Sequence, residues 1–229
     1  MFQNSYELEQ RSSSFMAGVY GWMSVALAIT AGTAYYLAMY SQFVVYLYTH
    51  SGMLIGLLCA QLAIVFSISF FINRMSFMTA LVLFILYAVS LGITLSSIFF
   101  VYTQSSILST FLTTAGMFGA MSLYGYMTKA DLTSVGNAAF MVLIGLCLAM
   151  FVNMFLQSEQ FDYIVSGIGV VVFVILTAYD TQRIKQIGRS MLADKEMMGK
   201  ITLIGALALY LDFINIFLFL LRFMGNRRD

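Results

Sequence analysis

The sequence predicts an all-α integral membrane protein. Hydrophobic residues make up 61% of the 229-residue chain and charged residues only 9%, and the mean hydropathy is +0.91. A soluble domain of this composition would expose a vast apolar surface, so the composition indicates a membrane protein. Seven apolar segments, each close to the length of about 20 residues that a spanning helix needs, predict seven transmembrane helices.

The elements follow one another with short links. Residues 1–14 are polar and are expected to form a cytoplasmic tail, because no removable signal peptide precedes the first full-length apolar run. Residues 15–224 form the expected membrane domain, and residues 225–229 a short basic tail. The predicted segments are 15–40, 52–72, 77–102, 107–127, 135–156, 163–182 and 201–223. Links of about four to eleven residues between the first six predict neighbouring helices that run up and down.

The placement of lysine and arginine predicts the orientation. Eight of the eleven basic residues lie in the amino-terminal tail, at Arg74, at Lys129, and in the loop between the sixth and seventh segments. This asymmetry predicts a cytoplasmic amino terminus. The last three follow the seventh segment, so seven crossings would place them outside, whereas a re-entrant segment would return them to the cytoplasm. The length of the segment favours seven crossings. The net charge of +1 gives no argument for nucleic-acid binding.

Two acidic residues stand out. Asp212 interrupts the apolar run 201–222, and Asp180 ends the run before it. A carboxylate within hydrocarbon costs at least about 2.5 kcal/mol, so Asp212 should face protein or water and have a partner, for which Asp180 is the candidate. Two carboxyl groups side by side in a low dielectric cannot both ionise cheaply. We therefore expect the pair to share a proton and to act as a pH switch.

Other polar residues can support this pair. Asn215 lies on the same helical stripe as Asp212, and Arg183 on the same face as Asp180. Arg74 can neutralise the pair, although a role as a positive-inside anchor at the cytoplasmic face is favoured. Gln61 can hydrogen-bond across helices, with helix packing as its default role. In the alternative interpretation, Asp180 is a boundary residue paired with a nearby basic side chain, and only Asp212 is buried.

Three stretches carry a family resemblance: AYDTQ at 178–182, ALYLDFINIFLFLLR at 208–222, and TAGMFGAMSLYGYMTKADL at 114–132. They resemble the bacterial branch of the transmembrane Bax inhibitor motif family. The resemblance implies a bacterial inner-membrane protein of seven helices, the last held centrally by the other six. It also implies a pH-sensitive calcium leak controlled by two aspartates, matching Asp180 and Asp212, which would be the residues that meet calcium. The family's basic residue at the end of the second helix matches Arg74. Gln61 stands where calcium-leaking relatives can carry an acid, which weakens the expected attraction for cations.

The sequence is compatible with three functions. The first is a proton-gated cation leak, whose partners are the lipid bilayer, protons and calcium, with no cofactor. The second is a non-conducting regulator that binds a membrane protease or another quality-control assembly. The third, an intramembrane aspartyl protease, is disfavoured because Asp212 lies in Leu-Tyr-Leu-Asp rather than Gly-x-Gly-Asp and the chain has no proline. We therefore expect no enzymatic activity.

Overall fold

The computed structural model describes residues 2–190 and 195–228, with side chains from residue 12 onward except those of 41, 51 and 195. These residues form α-helices, a short 3₁₀ turn and no β-strand. In chain order they are α1 (Phe2–Ala38), α2 (Ser41–Thr49), α3 (Ser51–Phe71), the 3₁₀ turn (Ile72–Arg74), α4 (Phe77–Leu95), α5 (Ile98–Val101), α6 (Gln104–Met127), α7 (Thr133–Leu156), α8 (Glu159–Ser190) and α9 (Lys195–Met224).

Seven stretches of the described helices are long and apolar enough to cross a membrane, which confirms the predicted fold class. Within an 18-residue apolar window of each stretch, 72% of the residues are buried in the last one, against 50% in the one before it and 11–39% in the others. A helix that is apolar all round and buried is one that other helices surround. The prediction that the last helix is central to the other six stays a prediction.

Several boundaries differ from the predicted ones. The backbone of residues 2–14 is helical and belongs to α1, and α2 occupies a predicted link. The prediction that residues 1–14 form a cytoplasmic tail stays a prediction. The predicted segment 77–102 is interrupted between α4 and α5, where the Ser96 hydroxyl donates to the Ile93 carbonyl at 2.7 Å and the Ser97 hydroxyl to the Thr94 carbonyl at 3.1 Å. Hydroxyls that bond to nearby carbonyls in this way compete with the helical hydrogen bonds and bend helices.

The last two helices extend beyond their apolar runs. Helix α8 continues to Ser190, and α9 begins at Lys195. An i,i+4 ion pair at 3.3 Å joins Glu196 to Lys200 in the first turns of α9, a spacing that supports helix formation. Since α9 is continuous over its 30 residues, it cannot turn back to the side on which it began. This continuity favours a seventh crossing over a re-entrant segment.

The chain divides into two compact units. One comprises residues 2–102, 188–190, 195–210 and 228, and the other comprises 103–187 and 211–227. Helix α9 therefore contributes its first half to the first unit and its second half to the second unit.

In the first unit, the first half of α9 is fixed by a buried tyrosine. The hydroxyl of Thr30 in α1 donates to the Ala88 carbonyl of α4 at 2.9 Å, so the 2.7 Å contact between Thr30 and Tyr210 is donated by the tyrosine. The Tyr210 side chain is fully buried and meets the rings of Phe84 and Tyr87 edge to face. One tyrosine on α9 therefore joins α1 and α4.

In the second unit, the carboxyl-terminal tail is bonded to the start of α6. The Thr103 N–H donates to the Asn226 carbonyl at 3.1 Å, and the Asn226 N–H donates to the Ser106 hydroxyl at 2.8 Å. At the same end, Arg222 pairs with Asp162 in the first turn of α8 at 3.5 Å. Helices α8 and α9 are thus antiparallel neighbours.

We expect Tyr210→Phe to lower the free energy of unfolding by about 1 kcal/mol, because it removes one buried hydrogen bond and leaves Thr30 its bond to Ala88. Thermal melting of the purified protein in one detergent measures the change. Tyr35→Phe is the matched control, since the Tyr35 side chain is 52% exposed. Equal melting temperatures for the two variants would contradict the assigned bond.

Candidate functional site

The register of α8 against α9 brings the two predicted acids level. The rings of Phe173 and Phe219 stack with their centroids 5.8 Å apart. Phe173 lies seven residues before Asp180, and Phe219 lies seven residues after Asp212. Seven residues are close to two helical turns, so in antiparallel helices the stacked rings and the two acids share both a face and a register.

Asp212 is the more deeply buried acid. Its side chain is 5% exposed, and its Oδ2 atom is buried with no hydrogen-bond partner among the described residues. The charge of Asp180 acts on it directly. Asp180 itself is half-buried and also feels the charge of Arg183, whose side chain is exposed. The site is therefore a pair of acids in which the α9 residue, Asp212, is buried and the α8 residue, Asp180, is partly exposed.

Close backbone packing fixes the turn of α8 that carries Asp180. A Cβ atom at Gly125 in α6 would collide with the Ala178 carbonyl, and one at Gly136 in α7 would collide with the Tyr179 ring. Only glycine permits approaches this close. The two residues that precede Asp180 are thus held against α6 and α7.

The residues that follow Asp180 are held as well. Thr181 donates to the Ser122 hydroxyl at 3.4 Å. The Gln182 amide spans the link between α6 and α7: its Nε2 donates to the Ala130 carbonyl at 2.7 Å, and its Oε1 accepts from the Leu132 N–H at 2.9 Å. The Lys185 ammonium bonds to the Tyr126 carbonyl and lies 3.9 Å from the centroid of that residue's ring.

The same link carries an acid outside the membrane spans. The Thr133 N–H donates to Asp131 Oδ1 at 2.9 Å. Hydrogen bonds from the Thr133 side chain and backbone hold the pKa of Asp131 below its usual value. Asp131 is therefore charged at neutral pH and helps to begin α7, where a negative charge is favourable.

The other predicted site residues have separate contacts. Asn215 is half-buried, and its Nδ2 donates to the Leu211 carbonyl of its own helix at 2.8 Å. In the first unit, Gln61 Nε2 donates to the Ser90 carbonyl at 2.9 Å and to the Thr94 hydroxyl at 2.8 Å. Arg74 is exposed at the end of the 3₁₀ turn. The predicted roles of Asn215, Gln61 and Arg74 beside the acid pair stay predictions.

Sequence reasoning missed the residues that position the pair. Gln182 belongs to the AYDTQ stretch, but nothing in that stretch shows that its amide spans the α6–α7 link. The described residues contain no group of three or more His, Cys, Asp or Glu side chains that could hold a metal ion. The acid pair on its own therefore offers a cation two carboxylates, well short of the six to eight oxygens that calcium prefers.

We expect Gln182→Ala to lower the free energy of unfolding by about 2 kcal/mol, because it removes two hydrogen bonds and leaves the buried Leu132 N–H without a partner. Hydrogen exchange at residues 128–136 should become faster. Gln186→Ala, one turn later on an exposed position of the same helix, should change neither quantity. Unchanged exchange in Gln182→Ala would refute the anchoring role of this side chain.

Comparison with known proteins gives a consistent result. Residues 12–229 match the family model described as Inhibitor of apoptosis-promoting Bax1. The inner membrane protein YbhL of Escherichia coli K12 is 53% identical over 216 residues, which cover 94% of this chain and 92% of YbhL. An uncharacterized protein of Borreliella burgdorferi is 42% identical over 95% of this chain and 94% of its own length. One from Deinococcus radiodurans is 42% identical over 94% and 91%. Its described residues include seven helices long and apolar enough to span a membrane, and the chain belongs to the Bax inhibitor family of membrane proteins.

Proposed function

We propose that this protein is a pH-sensitive cation leak, permeable to calcium, in the bacterial inner membrane, and that Asp180 and Asp212 gate it by sharing a proton. The observation that carries the proposal is the buried, unpartnered Oδ2 atom of Asp212 beside a second carboxyl group. The name of the YbhL relative supports the location.

A proton is the simplest partner for this oxygen. Burying an unpaired carboxylate costs several kcal/mol, and a second negative charge beside it adds to that cost. One proton between the two acids removes a charge and supplies a donor for the free oxygen. The pair then exists in at least two states that differ by one charge, and the pH selects between them.

The packing around Asp180 gives this charge change a mechanical consequence. Residues 178, 179, 181 and 182 of α8 are held by α6, by α7 and by the link between them. When the shared proton leaves, repulsion acts between a fixed turn of α8 and the facing turn of α9. We therefore expect the turn of α9 that carries Asp212 to move. The exposed Arg183 side chain can also move, because it can approach the added negative charge.

The small number of carboxylates fits a leak rather than a storage site. Calcium that meets two carboxylates keeps most of its water ligands and is held weakly. Conduction requires that a cation be attracted enough to enter and weakly enough bound to leave. Protons compete with cations for the same oxygens, which links cation passage to pH.

We expect proteoliposomes of the wild-type protein to show calcium flux that differs several-fold between about pH 6 and about pH 8, and Asp180→Asn with Asp212→Asn to abolish that difference, because amides do not titrate in this range. A calcium-sensitive dye inside the vesicles measures the flux. Glu196→Gln is the matched control, since it also changes an acid to its amide on α9 but at an exposed position paired with Lys200.

Two results would overturn the proposal. The first is wild-type flux that does not change with pH, and the second is a pH response that survives in the double variant. No flux at any pH, together with co-purification of a stoichiometric membrane protease or similar assembly, would instead identify a non-conducting regulator.

A further inference from the structure

A cavity of about 430 Å³ lies in the second unit, where α7 ends, α8 begins and α9 ends. Its polar wall comprises Asn153, Glu159, Asp162 and Arg222, and its apolar wall includes Met150 and Met154. Cavities that bind small molecules usually have volumes of about 300 to 1,000 Å³ and combine an apolar lining with a few placed polar groups. This one has a volume in that range, but six of its eight lining residues are polar, and it is separate from the acid pair.

The polar wall is preorganised by the chain reversal between α7 and α8. Gln157 adopts a left-handed conformation with a φ of 50°. Asn153 then caps the turn: its Oδ1 accepts from the Ser158 N–H at 3.1 Å, and its Nδ2 donates to the Ser158 carbonyl at 3.2 Å and to Asp162 Oδ1 at 3.4 Å. The Asp162 carboxylate is therefore held in place by α7 as well as by its own helix.

Opposite charges lie side by side along this wall. Arg222 Nη1 is 3.5 Å from Asp162 Oδ1, and both side chains remain about one-third exposed, at 38% and 32%. Glu159, with 89% of its side chain exposed, lies 3.7 Å from Arg227. Both pairs are longer than the charge-assisted hydrogen bonds of about 2.7 to 2.9 Å seen in tight pairs, so donors and acceptors remain for a ligand.

The location of the cavity indicates the class of ligand. Two candidate membrane spans end beside the cavity, at Leu156 and Met224, and a third begins there, at Glu159. The ends of spanning helices lie at the depth of lipid headgroups. The neighbouring side chains of Met154 and Phe155 are 62% and 71% exposed, which offers an apolar surface to acyl chains.

We propose that this cavity binds the headgroup of a zwitterionic, amine-bearing phospholipid, with the phosphate on Arg222 and the ammonium on Asp162 and Glu159. A guanidinium can bind phosphate oxygens through two parallel bonds. A purely anionic headgroup would leave the two carboxylates facing negative charge. A bare divalent cation would offer Arg222 no anionic group. The proposal does not depend on the leak activity.

Competition between lipids tests the proposal. Purified protein in detergent is mixed with phosphatidylethanolamine and phosphatidylglycerol of the same acyl chains, and native mass spectrometry counts the bound lipids. We expect about a tenfold preference for phosphatidylethanolamine. Stepwise N-methylation of phosphatidylethanolamine to phosphatidylcholine should weaken binding at each step. Each methyl group replaces one N–H that can donate a hydrogen bond to the carboxylates. Equal binding of all these lipids would overturn the proposal.

Variants locate the site. Asp162→Asn should abolish the preference for phosphatidylethanolamine, because it removes a carboxylate that binds the ammonium. Arg222→Gln should weaken the binding of both lipids, because both carry the phosphate. Lys129→Gln, which removes an exposed charge in the link after α6, should change neither. Arg222→Lys retains the charge but not the two parallel bonds to phosphate, so it should weaken the binding of both lipids less than Arg222→Gln does, and it remains informative if Arg222→Gln does not fold. A preference that survives in Asp162→Asn, or lipid binding that is unchanged in both Arg222 variants, would place the lipid elsewhere.

A soluble competitor distinguishes a lipid site from a site for a free metabolite. Phosphoethanolamine should displace the lipid only at concentrations at least about a hundredfold higher than those of the lipid itself, because it lacks acyl chains to contact the apolar rim. Displacement at equal concentrations would show that the cavity recognises a soluble molecule, and the lipid proposal would then be wrong.

Discussion

One constraint underlies this structure: a carboxylate on α9 is buried beside a second acid on α8. In water such a pair would be unremarkable, but within a bundle of apolar helices each carboxylate needs a counterion, a hydrogen-bond donor or a proton. The α8–α9 register that stacks Phe173 on Phe219 also makes the two acids neighbours. Gly125 and Gly136 let α6 and α7 approach α8 at this level, so the turn that carries Asp180 is held by close contacts of the Ala178 backbone and the Tyr179 ring.

The second unit places its charged groups at two levels along α8. Asp162 and Asp180 are 18 residues apart, which corresponds to about 27 Å along a helix and is close to the thickness of a hydrocarbon core. The level at Asp162 has paired charges that remain partly exposed. The level at Asp180 and Asp212 has two acidic side chains, of which Asp212 is buried and Asp180 half-buried. The first arrangement suits a ligand that carries both charges, and the second suits a group that changes its own charge.

The seven spans were predictable from sequence. A helix that crosses the hydrocarbon core must be apolar over about 20 residues, and both properties can be read from the sequence. The boundaries were less predictable. Charged residues after Gln182 end the apolar run of α8, but they do not end its hydrogen bonding, so the helix continues to Ser190. The interruption at Ser96 and Ser97 depends on hydroxyls that bond to the backbone, and hydropathy does not register such bonds.

The two acids of the candidate site were predictable from sequence, but the residues that hold them in position were not. Asp180 and Asp212 stand out because charge is rare in membrane helices. The roles of Gly125, Gly136 and Gln182 depend on which helices approach one another, a tertiary property that local spacing does not contain. The same holds for the cavity at Arg222, whose lining comes from three helices. Asn153 in α7 also hydrogen-bonds to Asp162 in α8, at 3.4 Å.

The bonds between Asn226 and the start of α6 have a practical consequence. A fluorescent protein or purification handle fused close to Asn226 would therefore pull on a segment that is hydrogen-bonded into the fold. A fusion there needs a flexible spacer, and measurements on fused and unfused protein should be compared before any change in transport or lipid binding is assigned to a substitution.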